Sequence, residues 1–166
     1  MKLERKDARD DRRSGSTTGR SSSGLPPAYS NQWSILRELG QMNRVRIGFV
    51  GVGAMGQCGH LQNYVGLDNC EVIALAELRT DLGNRVARRW GIPRVYANHK
   101  ELLAHEQLEG IVASQPYQRH GVLLPDLYEA GVPVLTEKPL ARSIEIGEKL
   151  LGALRATRTR HFVGYH

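Results

Sequence analysis

Residues 45–56 read Val-Arg-Ile-Gly-Phe-Val-Gly-Val-Gly-Ala-Met-Gly, an apolar run followed by the pattern G-x-G-x-x-G. An unalternated apolar run of this kind is typical of a strand that is covered on both faces. A glycine pattern that directly follows such a strand and opens a helix indicates a dinucleotide-binding loop. We expect Gly51 to allow the tight turn, Gly53 to let the backbone approach a pyrophosphate, and Gly56 to let the helix pack close to the strand.

The first turn of that helix is a candidate anion site. Its backbone N–H groups have no partner within the helix, and the helix dipole favours negative charge at this end. Ala54 and Met55 therefore join the three glycines as candidate cofactor-binding residues.

An acidic residue stands where the ribose of a dinucleotide would be held. Glu77 lies twenty-one residues after Gly56 and directly follows the apolar run at residues 71–76. A carboxylate here accepts hydrogen bonds from ribose hydroxyls and repels a 2′-phosphate, so it favours NAD over NADP. Arg79 keeps NADP open, since an arginine nearby can accept that phosphate. The alternative interpretation is that Glu77 only caps the next helix.

Further apolar runs alternate with segments of helical periodicity. Strands are predicted at residues 71–76, 95–96, 110–113, 132–135 and 161–164. Helices are predicted at residues 81–90, from the capping pair Asn98–Glu101 onward, at 123–130 and at 143–156. Strands that alternate with helices predict an α/β fold with a doubly wound parallel sheet of the Rossmann type.

The first 43 residues differ in composition from the rest. They are rich in Arg, Ser and Gly and contain almost no apolar residue before Leu25. Such a segment buries too little surface to offset its ordering entropy. We therefore expect a disordered tail or linker at residues 1–43 and a dinucleotide-binding domain at residues 44–166.

A short apolar cluster lies late in that tail, at Trp33, Ile35, Leu36 and Leu39. It either forms one or two helical turns that dock on the body or belongs to the linker, and we favour the linker. Met42 stands two residues before the first strand. We expect residues 1–41 to be dispensable, and a start codon assigned too far upstream is one explanation for them.

Composition and charge disfavour several other classes of protein. Hydrophobic residues make up 40% of the 166-residue chain, yet no stretch approaches the roughly 18 apolar residues of a membrane-spanning helix. The two cysteines are too few for a disulfide scaffold and lack zinc spacing, which favours a cytoplasmic setting and no metal site.

The net charge of +6 divides evenly between the two parts of the chain. Residues 1–43 contain eight Lys and Arg against five Asp and Glu, and residues 44–166 contain fifteen against twelve. Nucleic-acid binding is therefore disfavoured.

A second motif, Glu137-Lys138-Pro139, follows the strand predicted at residues 132–135. Ligands of open α/β sheets bind at the carboxyl ends of the strands, so this is a candidate site. Proline disfavours helical backbone for the preceding residue, which holds Lys138 extended at the strand end. A lysine there can hydrogen-bond a substrate oxygen or serve in proton transfer. Taken alone, the motif would be interpreted as ordinary surface charge.

The motifs taken together resemble one family. They are the glycine loop, Ser114-Gln115-Pro116 with His120, and residues 130–141, which read Ala-Gly-Val-Pro-Val-Leu-Thr-Glu-Lys-Pro-Leu-Ala. This arrangement resembles the nucleotide-binding half of the glucose–fructose oxidoreductase and inositol dehydrogenase (Gfo/Idh/MocA) family, over roughly residues 44–166. The resemblance implies an NAD(P)-dependent oxidoreductase that acts on CH–OH groups of sugars, cyclitols or their derivatives.

The resemblance also implies roles for single residues of the second motif. Lys138 matches the family's signature lysine, which orients the substrate and assists proton transfer, so it is the catalytic candidate. Glu137 and Pro139 match positions that shape the pocket on its nicotinamide side.

Other matched positions lie nearer the cofactor. Ser114, Pro116 and His120 match the loop that lines the cofactor, and Gln115 is a slight departure from the family pattern. His60, in the first helix, matches a histidine that is frequent there. We interpret His60 as a packing residue.

The family follows this half with an α+β domain that supplies much of the substrate site and the oligomer interface, whereas this sequence ends at His166. We therefore expect a fragment with little turnover alone, whose polyol or sugar substrate requires the second domain. The resemblance also implies a homo-oligomer for the full-length protein. Two alternatives from other classes are a non-catalytic dinucleotide sensor or partner-binding module, and an RNA binder that acts through its tail.

Overall fold

One parallel sheet organises the chain. The structure is a computed structural model that describes residues 44–165, and its six strands pair in the order β3-β2-β1-β4-β5-β6. In chain order, strands β1 to β6 are Val45–Val50, Cys70–Ala76, Arg94–Tyr96, Gly110–Ala113, Val134–Glu137 and His161–Gly164. The chain reverses its direction of travel across the sheet between β3 and β4, as in a doubly wound dinucleotide-binding fold. The predicted fold class is confirmed.

Helices follow each of the first five strands. In chain order, α1 starts with the π-helical segment Gly56–Leu61 and continues through Gln62–Tyr64, and it is followed by α2 (Thr80–Trp90), α3 (His99–His105), α4 (His120–Glu129) and α5 (Ile144–Thr157). A short 3₁₀ turn at Tyr117–Arg119 leads into α4. Within residues 44–165, no helix is both long and apolar enough to cross a membrane.

The core is divided between the two faces of the sheet, because successive side chains of a strand point to opposite sides. Phe49 of β1 belongs to a buried cluster with Leu61 of α1 and Val86 of α2. Its neighbour Val50 belongs to a second cluster with Leu124 of α4 and Leu150 of α5. Burial on both faces explains why the strand sequences are apolar without alternation.

Local sequence sets two of the helix starts as predicted. The side chain of Asn98 accepts the backbone N–H of Glu101 at 3.0 Å before α3. The hydroxyl of Ser143 accepts the N–H of Ile146 at 3.4 Å before α5. These bonds satisfy N–H groups that have no partner within the helix.

One strand is displaced from its predicted position. Strand β5 spans Val134–Glu137 instead of residues 132–135. Pro133 has no N–H to donate to a strand ladder, so it precedes the strand, and its carbonyl accepts the N–H of Ile111 at 2.9 Å. Glu137 is therefore the last residue of β5 and lies at the carboxyl edge of the sheet. The predictions for residues 1–43, and for His166, lie outside the described residues.

Candidate cofactor and substrate cleft

A cleft of about 540 Å³ opens at the carboxyl edge of the sheet. Its walls come from the glycine loop after β1, residues 114–117 after β4, Glu137 with Lys138 at the end of β5, and Gly164 of β6. Pockets that hold small molecules have volumes of roughly 300–1,000 Å³. The structure thus brings the two sequence motifs together in one site of suitable size.

The three loop glycines differ in what surrounds them. Gly51 has a φ of 87°, and a Cβ there would lie 2.6 Å from the carbonyl oxygen of Ser114. A Cβ on Gly56 would lie 2.7 Å from the carbonyl oxygen of Gly51. At Gly53 the nearest group to a Cβ is the Arg79 guanidinium, at 3.8 Å. Gly51 and Gly56 are therefore required by close packing, whereas Gly53 leaves open space on the cleft side.

The loop continues into α1 along the cleft wall. Ala54 and Met55 both line the cleft and are exposed there. The side-chain amide of Gln57 donates to the carbonyl of Val52 at 2.9 Å, and its backbone N–H donates to the carbonyl of Gly53 at 3.0 Å. These bonds fix the loop with the amino end of α1 beside the cleft.

Glu77 lies at the end of β2, next to the glycine loop. Its buried carboxylate accepts the N–H of Val52 at 3.1 Å, the N–H of Arg79 at 3.1 Å and the Arg79 Nε at 2.9 Å. Burial tends to raise the pKa of Glu77, but the hydrogen bonds from Arg79 and Val52 outweigh it and hold the pKa below its usual value. Glu77 is thus an ionised acceptor beside the loop, with the exposed Arg79 side chain folded over it.

The opposite wall is formed by the segment that follows β4. Ser114, Gln115 and Pro116 line the cleft, as does Tyr117, which is 39% exposed. The sequence analysis did not single out Tyr117, although its place directly after a strand-end proline was a usable signal. Gln115 is the residue that departs from the family pattern. A Cβ on Gly51 would collide with the side-chain amide of Gln115.

His120 occupies a different position from its neighbours in that motif. It begins α4, is completely buried, and its Nδ1 lies 2.9 Å from the carbonyl oxygen of Leu140. Its Nε2 has no hydrogen-bond partner among the described residues. His120 therefore contacts the segment that follows Pro139 and is not among the residues that line the cleft.

Lys138 is exposed on the cleft wall, and a cis peptide bond joins it to Pro139. Within residues 44–165, Lys138 forms no salt bridge. The neighbouring Glu137 carboxylate instead meets His60 of α1, with 2.7 Å between Oε1 and Nε2. The sequence analysis interpreted His60 as a packing residue and did not foresee this contact.

A partly buried polar network holds β5. His161 of β6 contacts the Tyr128 hydroxyl through Nδ1 at 2.7 Å and the Thr136 hydroxyl through Nε2 at 2.9 Å. Burial, with a smaller contribution from His120, lowers the pKa of His161 to about 4. Burial also raises the pKa of Tyr128 to about 12. The network is therefore uncharged near neutral pH and fixes Thr136, the residue before Glu137.

The chain is similar in sequence to known proteins. The model of the oxidoreductase family with an NAD-binding Rossmann fold (GFO_IDH_MocA) matches residues 45–165. An uncharacterised oxidoreductase of Rhizobium meliloti is 31% identical over 119 residues, which are 72% of this chain and 36% of that protein. An inositol 2-dehydrogenase of Rubrobacter xylanophilus is 31% identical over 115 residues, 69% of this chain and 33% of its own length.

Solved structures share the fold. The WlbA dehydrogenase of Bordetella pertussis, solved with NADH and UDP-GlcNAcA, superposes with a TM-score of 0.68 at 23% identity. The match covers 74% of this chain and 37% of that one. The chain thus spans about a third of the length of these relatives. On the family match, the chain belongs to the Gfo/Idh/MocA family of oxidoreductases, and residues 45–165 correspond to its NAD-binding Rossmann fold.

Proposed function

We propose that residues 44–166 are the nucleotide-binding half of an enzyme that transfers a hydride between nicotinamide and a carbinol carbon of a sugar, cyclitol or derivative. The observation that carries the proposal is the cleft itself. The glycine loop forms one wall and Lys138 another, at the edge of the sheet where ligands of doubly wound folds bind. The inositol 2-dehydrogenase relative supports the substrate class.

The residues present fit a dinucleotide. The open space at Gly53 admits a pyrophosphate, and the amino end of α1 beside it favours negative charge. The Glu77 carboxylate would accept hydrogen bonds from ribose hydroxyls in place of those it takes from the Arg79 side chain. Pro116 and Tyr117, on the wall opposite the glycine loop, would border the nicotinamide ring.

We infer that NAD is preferred to NADP. Glu77 is ionised and buried beside the loop, so a 2′-phosphate would meet its negative charge. Arg79 reduces the effect, because its guanidinium already pairs with Glu77 and would bind such a phosphate if it swung outward. The preference is therefore set by two side chains of opposite charge at the end of β2.

Lys138 is the group that we assign to the substrate. Its ammonium is exposed on the cleft wall without a salt bridge among the described residues, so it is free to donate a hydrogen bond to a substrate oxygen. Nicotinamide, when bound, supplies the hydride acceptor or donor. Lys138 would orient the hydroxyl or carbonyl oxygen and exchange a proton with it as the charge on that oxygen changes.

The substrate side of the cleft is open in residues 44–165. Hydride transfer requires the reacting atoms to be held in near-attack geometry, and misplacement by about 1 Å can cost about 100-fold in rate. We propose that the other two-thirds found in the relatives supply the missing walls and the homo-oligomer contacts. The intact enzyme would then act on a polyol or sugar in the cytoplasm.

Calorimetric titration of the 166-residue chain with NADH tests the binding function. We expect saturable binding that Gly53→Ala weakens roughly tenfold, or 1.4 kcal/mol, because the new methyl group occupies the phosphate approach. Gly152→Ala is the matched control, since a Cβ there has nothing within 4 Å. An absence of NADH binding by the folded chain, or equal losses in both variants, would contradict the proposal.

A further inference from the structure

Two side chains that are 77 residues apart in sequence meet beside the cleft, where Glu137 forms part of its wall. His60 lies in the π-helical part of α1, and Glu137 is the last residue of β5. The side chains are only 16% and 21% exposed, and 2.7 Å separates Nε2 from Oε1. This distance is that of a strong, charge-assisted hydrogen bond to a carboxylate. It links the helix that follows the glycine loop to the strand that carries Lys138.

The bond matters because of what stands next to Glu137. Lys138 is its neighbour in sequence, and both residues line the cleft. A carboxylate and an ammonium on neighbouring residues that line one cleft attract each other when their side chains turn together. Yet within the described part of the chain Lys138 has no salt-bridge partner, and the Glu137 carboxylate is turned toward α1.

A comparison within the same molecule shows the alternative arrangement. His99 of α3 also lies 2.7 Å from a carboxylate, that of Asp126 in α4. Here Lys100 reaches the same carboxylate at 3.4 Å, so histidine and lysine share one acid. The side-chain exposures of His99 and Asp126, 15% and 30%, are close to those of His60 and Glu137. A carboxylate that is bonded to a histidine can therefore still pair with a lysine. Whether it does so depends on the direction in which the carboxylate points.

His60 is carried by the π-helical turn of α1. π-helical turns are rare and are found frequently at functional sites. In α1 the turn begins at Gly56, the last glycine of the loop, and includes His60. The residue that orients Glu137 thus belongs to the same turn that packs against the phosphate-binding loop.

We propose that His60 is a positioning residue, which holds the Glu137 carboxylate against α1 and so keeps the Lys138 ammonium unpaired in the cleft. The proposal rests on the proposed function, in which that ammonium serves the substrate. His60 itself does not contact the reacting atoms. Without its ring, the Glu137 carboxylate turns toward Lys138 and forms an ion pair with it.

Limited acetylation with acetic anhydride, read by mass spectrometry of the 166-residue chain, tests this directly. The reagent attacks the neutral amine, and an ion pair with a carboxylate favours the unreactive ammonium form. We expect His60→Leu to lower the labelling of Lys138 relative to the exposed Lys149 by roughly threefold, the factor of an ion pair worth about 0.6 kcal/mol. His60→Gln, whose amide nitrogen can replace Nε2 as a donor, should restore the ratio.

Two further variants make the outcome specific. The double variant His60→Leu/Glu137→Gln should return the labelling of Lys138 to its original value, because the acid that pairs with it is gone. His99→Leu is the matched control and should leave Lys138 unaffected. If His60→Leu fails to fold, His60→Asn, whose shorter amide does not reach Glu137, replaces it.

An unchanged labelling ratio in folded His60→Leu would overturn the proposal, as would a loss that Glu137→Gln does not reverse. An equal loss in His99→Leu would also overturn it. None of these measurements requires a cofactor. Failure of NADH binding would therefore count against the proposed function alone, and failure of the labelling pattern against the role of His60 alone.

Discussion

The carboxylate of Glu77 accepts the backbone N–H of Val52 at 3.1 Å, which ties the acidic end of β2 to the middle of the glycine loop. The same carboxylate holds the Arg79 side chain at 2.9 Å. One carboxylate thus holds both the glycine loop and the long Arg79 side chain, and a residue at position 77 without an acceptor oxygen would release both. This coupling governs how cofactor preference has to be tested.

Glu77→Gln is the informative change for cofactor preference, because a glutamine oxygen can still accept the Val52 N–H while the negative charge is lost. We expect the chain to bind NADH more tightly than NADPH. Glu77→Gln should reduce the ratio of the two dissociation constants roughly tenfold, or 1.4 kcal/mol. Calorimetry with both cofactors measures the gap. Equal or tighter binding of NADPH by the unchanged chain would reject this role for Glu77 and indicate Arg79, which Arg79→Ala would then test.

The close packing at Gly56 predicts a loss of stability that is independent of any ligand. A methyl group there would lie 2.7 Å from the carbonyl oxygen of Gly51, so the loop and α1 must separate. We expect Gly56→Ala to lower the free energy of unfolding by about 1–3 kcal/mol in urea titrations. Gly53→Ala, with 3.8 Å to its nearest neighbour, should cost much less. Equal stability of the Gly56 variant and the original chain would refute the steric account.

The partly buried network around His161 predicts a dependence of stability on pH. The pKa of His161 is about 4 in the folded chain against an ordinary value of 6.5, so between these values the unfolded state binds more protons. The free energy of unfolding should therefore fall as the pH is lowered from 6.5 toward 4. His161→Gln should show a smaller decrease over this interval.

The exposed His105, whose Nδ1 lies 2.8 Å from the carbonyl oxygen of Glu101 in its own helix, provides the control. His105→Gln should keep the full decrease with pH, measured by urea titration at each pH. Carboxylates such as Asp126 titrate in all three proteins and cancel in the comparison. Parallel curves for His161→Gln and the original chain would show that this imidazole is not the group responsible.

The 166-residue chain should bind NADH but show negligible turnover of sugars or cyclitols, since nothing within residues 44–165 covers the substrate side of the cleft. Absorbance of NADH in the presence of a panel of polyols measures this. Substantial polyol-dependent NADH production that Lys138→Ala abolishes would mean that a complete site exists within these residues.

Removal of residues 1–41 should change the melting temperature little, because residues 44–165 already contain strand β1 and two well-packed core clusters. Differential scanning calorimetry of the full and shortened chains makes the comparison. A clearly lower melting temperature of the shortened chain would show that Trp33, Leu36 and Leu39 dock on the body.

Much of the fold could be predicted because its determinants are local. The apolar runs, the glycine loop and the caps at Asn98 and Ser143 are each defined within a few residues, and the structure contains all of them. The position of β5 was predicted two residues too early, because Val132 looks like a strand residue until the missing N–H of Pro133 is considered.

Contacts within the site were harder to predict, because they join segments that are distant in sequence. The bond between His60 and Glu137 spans 77 residues, and no spacing rule connects a position in α1 with the end of β5. The position of His120 depends in the same way on the loop at Leu140, which only the assembled sheet brings near. The sequence motifs placed the glycine loop and Lys138 in one region, but they missed Tyr117 and did not show that His120 lies away from the cleft.

The four-walled construction of the cleft has a consequence for the order of folding. Strands β1, β4, β5 and β6 must all be paired before the walls stand opposite one another, and parallel pairs separated by long connections form slowly. In refolding, helical circular dichroism should therefore recover before the capacity to bind a ligand. A ligand of this cleft therefore binds only chains that have completed folding. By mass action it stabilises the fully folded state and not partly folded ones.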